Sequence, residues 1–178
     1  MLASRPVSTP MDYHTRLHSS SGTLLTDPLI YQRLLGRLIY LTTTRPDIAF
    51  VVQHLSQFVS SPTTAHHQAA FRVLRYLKGT PGLGVFLSVD SSLQLKAFSD
   101  SDWAGCVDSC RSIIGFSVYL GSSLISWRSK KQTIVSKSSF EAEYRTLAST
   151  TCELQWITYL LEDLRIHFVR PALLYCNN

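Results

Sequence analysis

Apolar positions recur at helical spacing through the first half of the chain and at strand spacing through much of the second. After Pro28, residues Leu34, Leu35, Leu38, Ile39 and Leu41 share one helical face, which runs out at Thr42-Thr43-Thr44. Arg45-Pro46-Asp47 restarts a helix with proline in its first turn, and Ile48, Val51, Val52, Leu55 and Phe58 form its stripe. Ser60-Ser61-Pro62 breaks it. A third helix is predicted from about Thr64 to Lys78, with Ala70, Val73, Leu74 and Leu77 inward and Gly79 and Pro81 as its stop. Beyond Pro81 the period drops to two. Gly84–Val89 and Leu93–Phe98 read as one hairpin, Ile113–Leu120 and Leu124–Trp127 as another, and Thr133–Val135 as a short extended piece. A long helix from about Ser139 to Leu164 and a last strand in Pro171-Ala172-Leu173-Leu174-Tyr175-Cys176 complete the pattern. Strands, then a crossover helix, then a strand describe an α/β unit with a mixed sheet, preceded by a small helical segment. Residues 1–27, rich in Ser, Thr and Pro, read as an extended lead-in.

Composition narrows the class. At 178 residues, 45% of them hydrophobic and 16% charged, the chain suits a packed core and not a disordered segment. It contains no run of eighteen apolar residues, and Met1–Arg16 lacks the apolar centre of a secretory signal. An intracellular protein, cytoplasmic or nuclear and with no membrane partner, is therefore expected. Cys106, Cys110, Cys152 and Cys176 have neither zinc-ligand spacing nor the layout of a disulfide framework, so free thiols are expected. Lys and Arg outnumber Asp and Glu by 17 to 12, which suits a polyanionic partner. On the third helix Arg72, Arg75 and Lys78 lie outward. They are either a solvated face or a phosphate-tracking one.

The candidate chemistry lies in carboxylates. The run Leu93–Phe98 delivers Asp100 and Asp102 to a predicted strand end, where aspartates serve either as turn formers or as solvated metal ligands on a rigid base. Some forty residues on, Ser138-Ser139-Phe140-Glu141 is a capping box, giving Glu141 the job of bonding back to the N-cap amide. Glu143 has no such role. Steps of three and four link Phe140, Glu143, Leu147, Thr150, Leu154, Ile157, Leu161 and Leu164, which sets Glu143 in the stripe laid on the sheet. A carboxylate there needs an ionic partner, a proton or a metal. Asp100 and Glu143 can converge at one sheet edge, and convergent carboxylates suit Mg²⁺, which keeps waters and takes further ligands from phosphate. Two such ions, about 3.5–4 Å apart, would serve phosphodiester hydrolysis.

Five ordered stretches, Tyr31–Phe50, Arg72–Gly84, Ala97–Gly105, Ile125–Ala148 and Leu173–Asn178, closely resemble the end of a copia-type retrotransposon Pol polyprotein. The resemblance covers nearly the whole chain. It implies that residues 28–86 correspond to the C-terminal tail of the reverse transcriptase. Residues 87–178 then correspond to a truncated, incomplete RNase H-like domain, one that cuts the RNA of an RNA–DNA hybrid. The family's first catalytic Asp matches Asp100 and its catalytic Glu matches Glu143. Asp102 and Glu141 match motif positions that are not metal ligands. Where the family has its third carboxylate, after Tyr175-Cys176, this sequence has Asn177, an amide without negative charge. The segment carrying the last acidic ligand and the upstream polymerase body are also absent from this sequence. The expectation is a fragment or relic with Asp100 and Glu143 as surviving Mg²⁺ ligands and with little or no catalysis, needing no small-molecule cofactor. The alternatives are a non-enzymatic nucleic-acid-binding module, using Arg72, Arg75, Arg128, Lys130 and Lys131, and a translated remnant with no selected function.

Overall fold

The computed structural model describes residues 3–12, 16–166 and 170–176, in two units, Met1–Gly84 and Val85–Asn178. The first is helical: α1 (Pro28–Leu41), a 3-10 turn (Pro46–Ile48), α2 (Ala49–Ser56) and α3 (Thr64–Gly79). Asp27 caps α1 by accepting from the Leu29 amide at 2.9 Å, and Pro28 sits in the first turn, where its missing N–H costs nothing. All five stripe residues from Ile48 to Phe58 are buried. In α1 the stripe turns toward Tyr31, which is fully buried and donates its hydroxyl to the Leu55 carbonyl at 2.8 Å, and Ile39 is left exposed. The start of α3 is fixed by Thr63 and His66. The Thr63 N–H donates to His66 Nδ1 at 3.1 Å, so the ring's proton is on Nε2, which donates to His18 O at 3.1 Å.

The lead-in lies against α3. Leu17 is buried in the helical core, with Val7, Met11 and Leu25 packed on it. The outward basic row of α3 holds this segment down: Arg72 donates to Thr9 Oγ1 at 2.9 Å, Arg75 to Arg5 O at 3.0 Å and Lys78 to Ser4 O at 3.0 Å. The lead-in takes one donor from each of these side chains, so the row is not a bare solvated face. Nearby, Arg45 is buried and makes a two-pronged ion pair with Asp47, at 2.9 and 2.8 Å, while also donating to Thr80. Tyr76 donates its hydroxyl to the same Asp47 carboxylate at 2.8 Å.

The second unit is a four-stranded mixed sheet with one long helix. Strands β1 (Leu95–Asp102), β2 (Ile113–Leu120), β3 (Ser123–Lys131) and β4 (Leu173–Cys176) stand in the order β3-β2-β1-β4, with α4 (Ser139–Asp163) crossing between β3 and β4. The pairs β1–β2 and β2–β3 are antiparallel, and β4 runs parallel to β1. The predicted fold class, a mixed α/β sheet with a crossover helix after a helical segment, is what is observed. Leu95, Ala97, Phe116 and Val118 form one face of the sheet and pack against Leu154, Ile157 and Leu161 of α4.

Several expectations are corrected. Gly84–Val89 forms no strand, and the reason is topological: β2 and β4 occupy both edges of β1, so a hairpin partner has no place to pair. The segment runs past the β2–β3 turn instead, with Ser88 N donating to Ser123 Oγ at 2.9 Å and Ser122 N to Ser91 Oγ at 2.7 Å. Gly121 in that turn has φ of 63°, and a Cβ there would collide with Ser91. Thr133–Val135 is likewise not a strand. Strand β1 begins and ends later than the alternation suggested, so Asp100 and Asp102 belong to the strand itself.

The Arg45–Asp47–Tyr76 cluster yields a stability prediction. Hydrogen bonds from Arg45, reinforced by Tyr76, hold the Asp47 carboxyl below its ordinary range against the opposing effect of burial. A depressed carboxyl stabilises the fold above its unfolded value, near 4, and that contribution is lost as pH falls through the lower folded value. Asp47→Asn is expected to cost about 2 kcal/mol at neutral pH and to flatten the loss of stability below about pH 4. Urea unfolding across a pH series checks both.

Candidate functional site

A buried polar network ties the end of β1 to the start of α4. Gln132, one residue beyond β3 and only 5% exposed, is its centre. Its backbone N–H donates to Ser112 O at 2.8 Å, its Nε2 donates to Ala142 O at 3.0 Å, and its Oε1 accepts from Ser136 Oγ at 2.8 Å. Ser112 is fully buried and accepts from the Ala104 amide at 3.2 Å, just beyond β1. Trp103, directly after β1, donates Nε1 to Ser136 O at 3.0 Å, two residues before the cap of α4. Within the network, bonds from Gln132 to Ser112 O and Ala142 O and from Trp103 to Ser136 O cross between segments, which is what makes such a network specify one arrangement. Sequence reasoning missed all of it. Gln132 stands at the end of Arg128-Ser129-Lys130-Lys131-Gln132, which reads as a charged exit to solvent, and no period marks a buried amide.

The four acidic side chains nearest this junction differ in what they do. Glu141 is committed to the helix end, though not to the amide the capping box implied: Oε2 accepts from Lys137 N at 2.8 Å, one residue before Ser138. Its other oxygen takes Arg145 Nη2 at 2.8 Å, and these bonds, Arg145's foremost, hold its carboxyl below the ordinary range. Asp102 folds over the turn that follows β1, so that a Cβ on Gly105 would collide with its carboxylate. Asp100 is exposed and has no hydrogen-bonding or ionic partner among the described residues. It stands opposite Gly115 of β2, which puts no side chain beside it. Glu143, in the second turn of α4, is half-buried and also without a partner among the described residues.

The position of Glu143 corrects the predicted stripe. The residues of α4 on the sheet are Ala142, Thr146, Thr150, Leu154, Ile157 and Leu161, whereas Phe140 and Leu164 are exposed. The two stripes agree from Thr150 to Leu161 and part in the first turns. There the helix lies close to the sheet and the Gln132 amide, and small side chains fit where Phe140 and Leu147 would not. The Thr146 and Thr150 hydroxyls donate to Ala142 O and Thr146 O at 3.0 and 2.8 Å, so neither is orphaned by burial. Glu143 lies on the flank of this stripe.

Strand alternation assigns Asp100 to a face. Leu95, Ala97 and Ser99 are buried on the α4 side, and Phe98 and Asp100 belong to the opposite, open face. On that face Phe98, 47% exposed, stacks on Tyr175 with ring centroids 5.1 Å apart, and meets Tyr119 edge-on at 5.9 Å. Asp100 therefore leaves the sheet on the face away from α4, so the expected convergence of Asp100 with Glu143 of α4 at one sheet edge is not what the strand gives. The network brings only the segment after β1 toward the first turns of α4. Asn177, the third position of the expected ligand set, lies outside the described residues. In kind, hard carboxylate oxygens with no competing partner fit Mg²⁺, which protein sites hold through one or two carboxylates, waters and substrate phosphates. In number they are few: no group of three or more His, Cys, Asp or Glu forms a metal-holding cluster among the described residues.

The candidate basic residues of this unit lie on β3. Arg128 and Lys130 are exposed, with the Arg128 guanidinium 6.0 Å from the Phe116 ring centre, and Lys131 is half-buried with its ammonium 3.5 Å from Cys106 Sγ. No helix among the described residues is long and apolar enough to cross a membrane.

No family model matches the chain, and no solved structure matches it. Curated proteins do. The chain is 51% identical over 178 residues to a retrovirus-related Pol polyprotein from transposon RE1 of Arabidopsis thaliana, covering all of this chain and 12% of that protein. It is 50% identical over 178 residues to the corresponding protein from transposon RE2 of the same plant, again 12% of its length. It is also 46% identical over 157 residues to an uncharacterized mitochondrial protein of Arabidopsis thaliana, spanning 88% of this chain and 65% of that one. The chain therefore spans about an eighth of the length of the two Pol relatives.

The network gives a test of its own. Gln132→Ala removes the acceptor for the buried Ser136 hydroxyl and one donor to Ala142 O, for an expected loss of about 2–4 kcal/mol. Hydrogen exchange should quicken at Glu141–Thr146 while Leu154–Leu161 keeps its protection. Uniform loosening along α4 would show that Gln132 does not anchor the helix start.

Proposed function

The chain belongs to the copia-type retrotransposon Pol polyproteins, and from that premise we propose that Val85–Asn178 is a portion of an RNase H-like domain directed at RNA–DNA hybrids. Its helical first unit is read as the tail of the reverse transcriptase. The observation that supports the reading is the buried network that ties the end of β1, which carries Asp100, to the start of α4, which carries Glu143. Glu141, which family motifs leave aside, is taken up by the Lys137 amide and by Arg145.

By family motif Asp100 and Glu143 are the residues that would hold Mg²⁺, although strand alternation sets Asp100 on the sheet face opposite α4, and Asn177 would offer an uncharged oxygen. When bound, the ion supplies Lewis acidity toward a phosphodiester and lowers the pKa of an attacking water. The chain's own part is to keep Asp100 on a strand whose flank at Gly115 is open and to hold Glu143 on an anchored helix. Two carboxylates compensate less cation charge than three, so the sequence favours a single ion and slow or no hydrolysis. Each 1.4 kcal/mol lost from transition-state stabilisation is about a tenfold loss of rate.

Mg²⁺ titration calorimetry and a hybrid-cleavage assay test this together. Weak Mg²⁺ binding is expected, abolished by Asp100→Asn and by Glu143→Gln, tightened by Asn177→Asp, and accompanied by no measurable cleavage. Binding indifferent to all three changes would remove the site. Cleavage by the unmodified chain that Asp100→Asn abolishes would overturn the inactivity.

A second reading, a nucleic-acid-binding module without catalysis, draws on the exposed Arg128 and Lys130 of β3 and on the neighbouring Lys131. Arg72 and Arg75 serve it less well because the lead-in holds them. Changing Lys130 and Lys131 to Ala should weaken hybrid binding and reduce the salt slope by about one for each phosphate no longer neutralised. Unchanged affinity across a salt series would return both lysines to ordinary surface charge.

A further inference from the structure

Cys106 and Cys110 lie in the turn between β1 and β2, four residues apart and joined by one closed backbone turn. The Cys110 amide donates to Cys106 O at 2.8 Å, closing one helical turn that ends with Cys110 in the left-handed region at φ of 52°. One helical turn of four steps carries the chain forward by about 6 Å, and disulfides join α-carbons about 4.4–6.8 Å apart. The two thiols have different surroundings. Cys106 is 3% exposed, and the Lys131 ammonium approaches its sulfur at 3.5 Å. Burial pushes this thiol up, but donors from Ser109 and the charge of Lys131 outweigh it and bring it below its ordinary value. Cys110 is exposed to solvent. One partner is thus reachable by a small oxidant, and the other is held where a thiolate is stabilised. Cys152 and Cys176, also free, lie on α4 and β4.

We propose that this turn is a thiol oxidation site in which a hydroperoxide converts Cys106 and Cys110 into an intraloop disulfide. In the first step the Cys110 sulfur attacks the peroxide O–O bond, forming S–OH and releasing water, with sulfur oxidised and peroxide reduced. In the second the Cys106 thiolate attacks the Cys110 sulfur, the S–S bond forms, and hydroxide leaves and takes up the proton that Cys106 has released. The balance is two thiols and one hydrogen peroxide giving one disulfide and two waters. The product draws Cys106 Sγ away from Lys131. It also constrains the loop between Asp102 and Ser112, which carries the Trp103 and Ala104 attachments to the buried network.

The whole chain is treated with hydrogen peroxide, quenched, alkylated and digested with trypsin. The peptide Ala97–Arg111 contains both cysteines and no others. It should lose the mass of two hydrogens and escape alkylation, with the four thiols of the chain falling to two. In Cys106→Ser, Cys110 should instead accumulate as a sulfenic acid trapped by dimedone. Lys131→Gln, which leaves both cysteines in place, should slow closure severalfold. Both cysteines remaining alkylatable would overturn the proposal, as would over-oxidation of Cys110 beside a free Cys106 or linkage to Cys152 or Cys176.

Discussion

A single buried amide fixes how the helix of the second unit meets its sheet. Gln132 receives Ser136 on its oxygen, gives its side-chain N–H to the start of α4, and joins β2 through its backbone. Without it, α4 would still pack on the sheet through Leu154, Ile157 and Leu161, because burying apolar surface is not directional. Its first turns would not be placed. Hydrophobic contact sets which face of a helix meets a sheet, whereas the rotation and height of its first turn need bonds with a direction. The residues at the contact follow from that division. Large apolar side chains crowd the C-terminal half of α4, and Ala142, Thr146 and Thr150 line the half that must come close.

That division also explains how far the sequence could be read. Helices, the four strands and the crossover are visible because each shows as an apolar run or a period in the sequence. The stripe of α4 is visible from Thr150 onward for the same reason. In the first turns apolarity points to Phe140 and Leu147, while close packing prefers whatever is small. The false strand at Gly84–Val89 shows the second limit. Alternation tells that a segment could sit in a sheet, but only topology tells whether an edge is free. Gln132 shows the third: a buried polar residue is defined by partners on other elements, and nothing local marks it.

Charged residues divide along similar lines. In the first unit Arg45 and Asp47 are bound into the fold with Tyr76, and the basic row of α3 fastens the chain's own lead-in. A row of arginines read from spacing alone suggests a polyanion outside the protein, yet oxygens of the lead-in within reach satisfy the same donors. In the second unit, Glu141 is used up by the helix end, and Asp102 is fitted against Gly105. Glu141 is a poor candidate for chemistry, because a carboxylate that already accepts strong bonds must lose them to take a cation.

Asp100 and Glu143, like Asp102, accept no hydrogen bond or ion pair among the described residues, whereas Glu141 accepts from Lys137 and Arg145. Asp100 shares its face with the exposed aromatic pair Phe98 and Tyr175, so replacing it by an uncharged residue would leave the sheet's packing on α4 untouched. Glu143, half-buried on the flank of the helix stripe, carries a modest desolvation cost with no compensating bond among the described residues. Gln132, Ser112 and Ser136 belong to structure, since the polar groups they bury are matched within the chain.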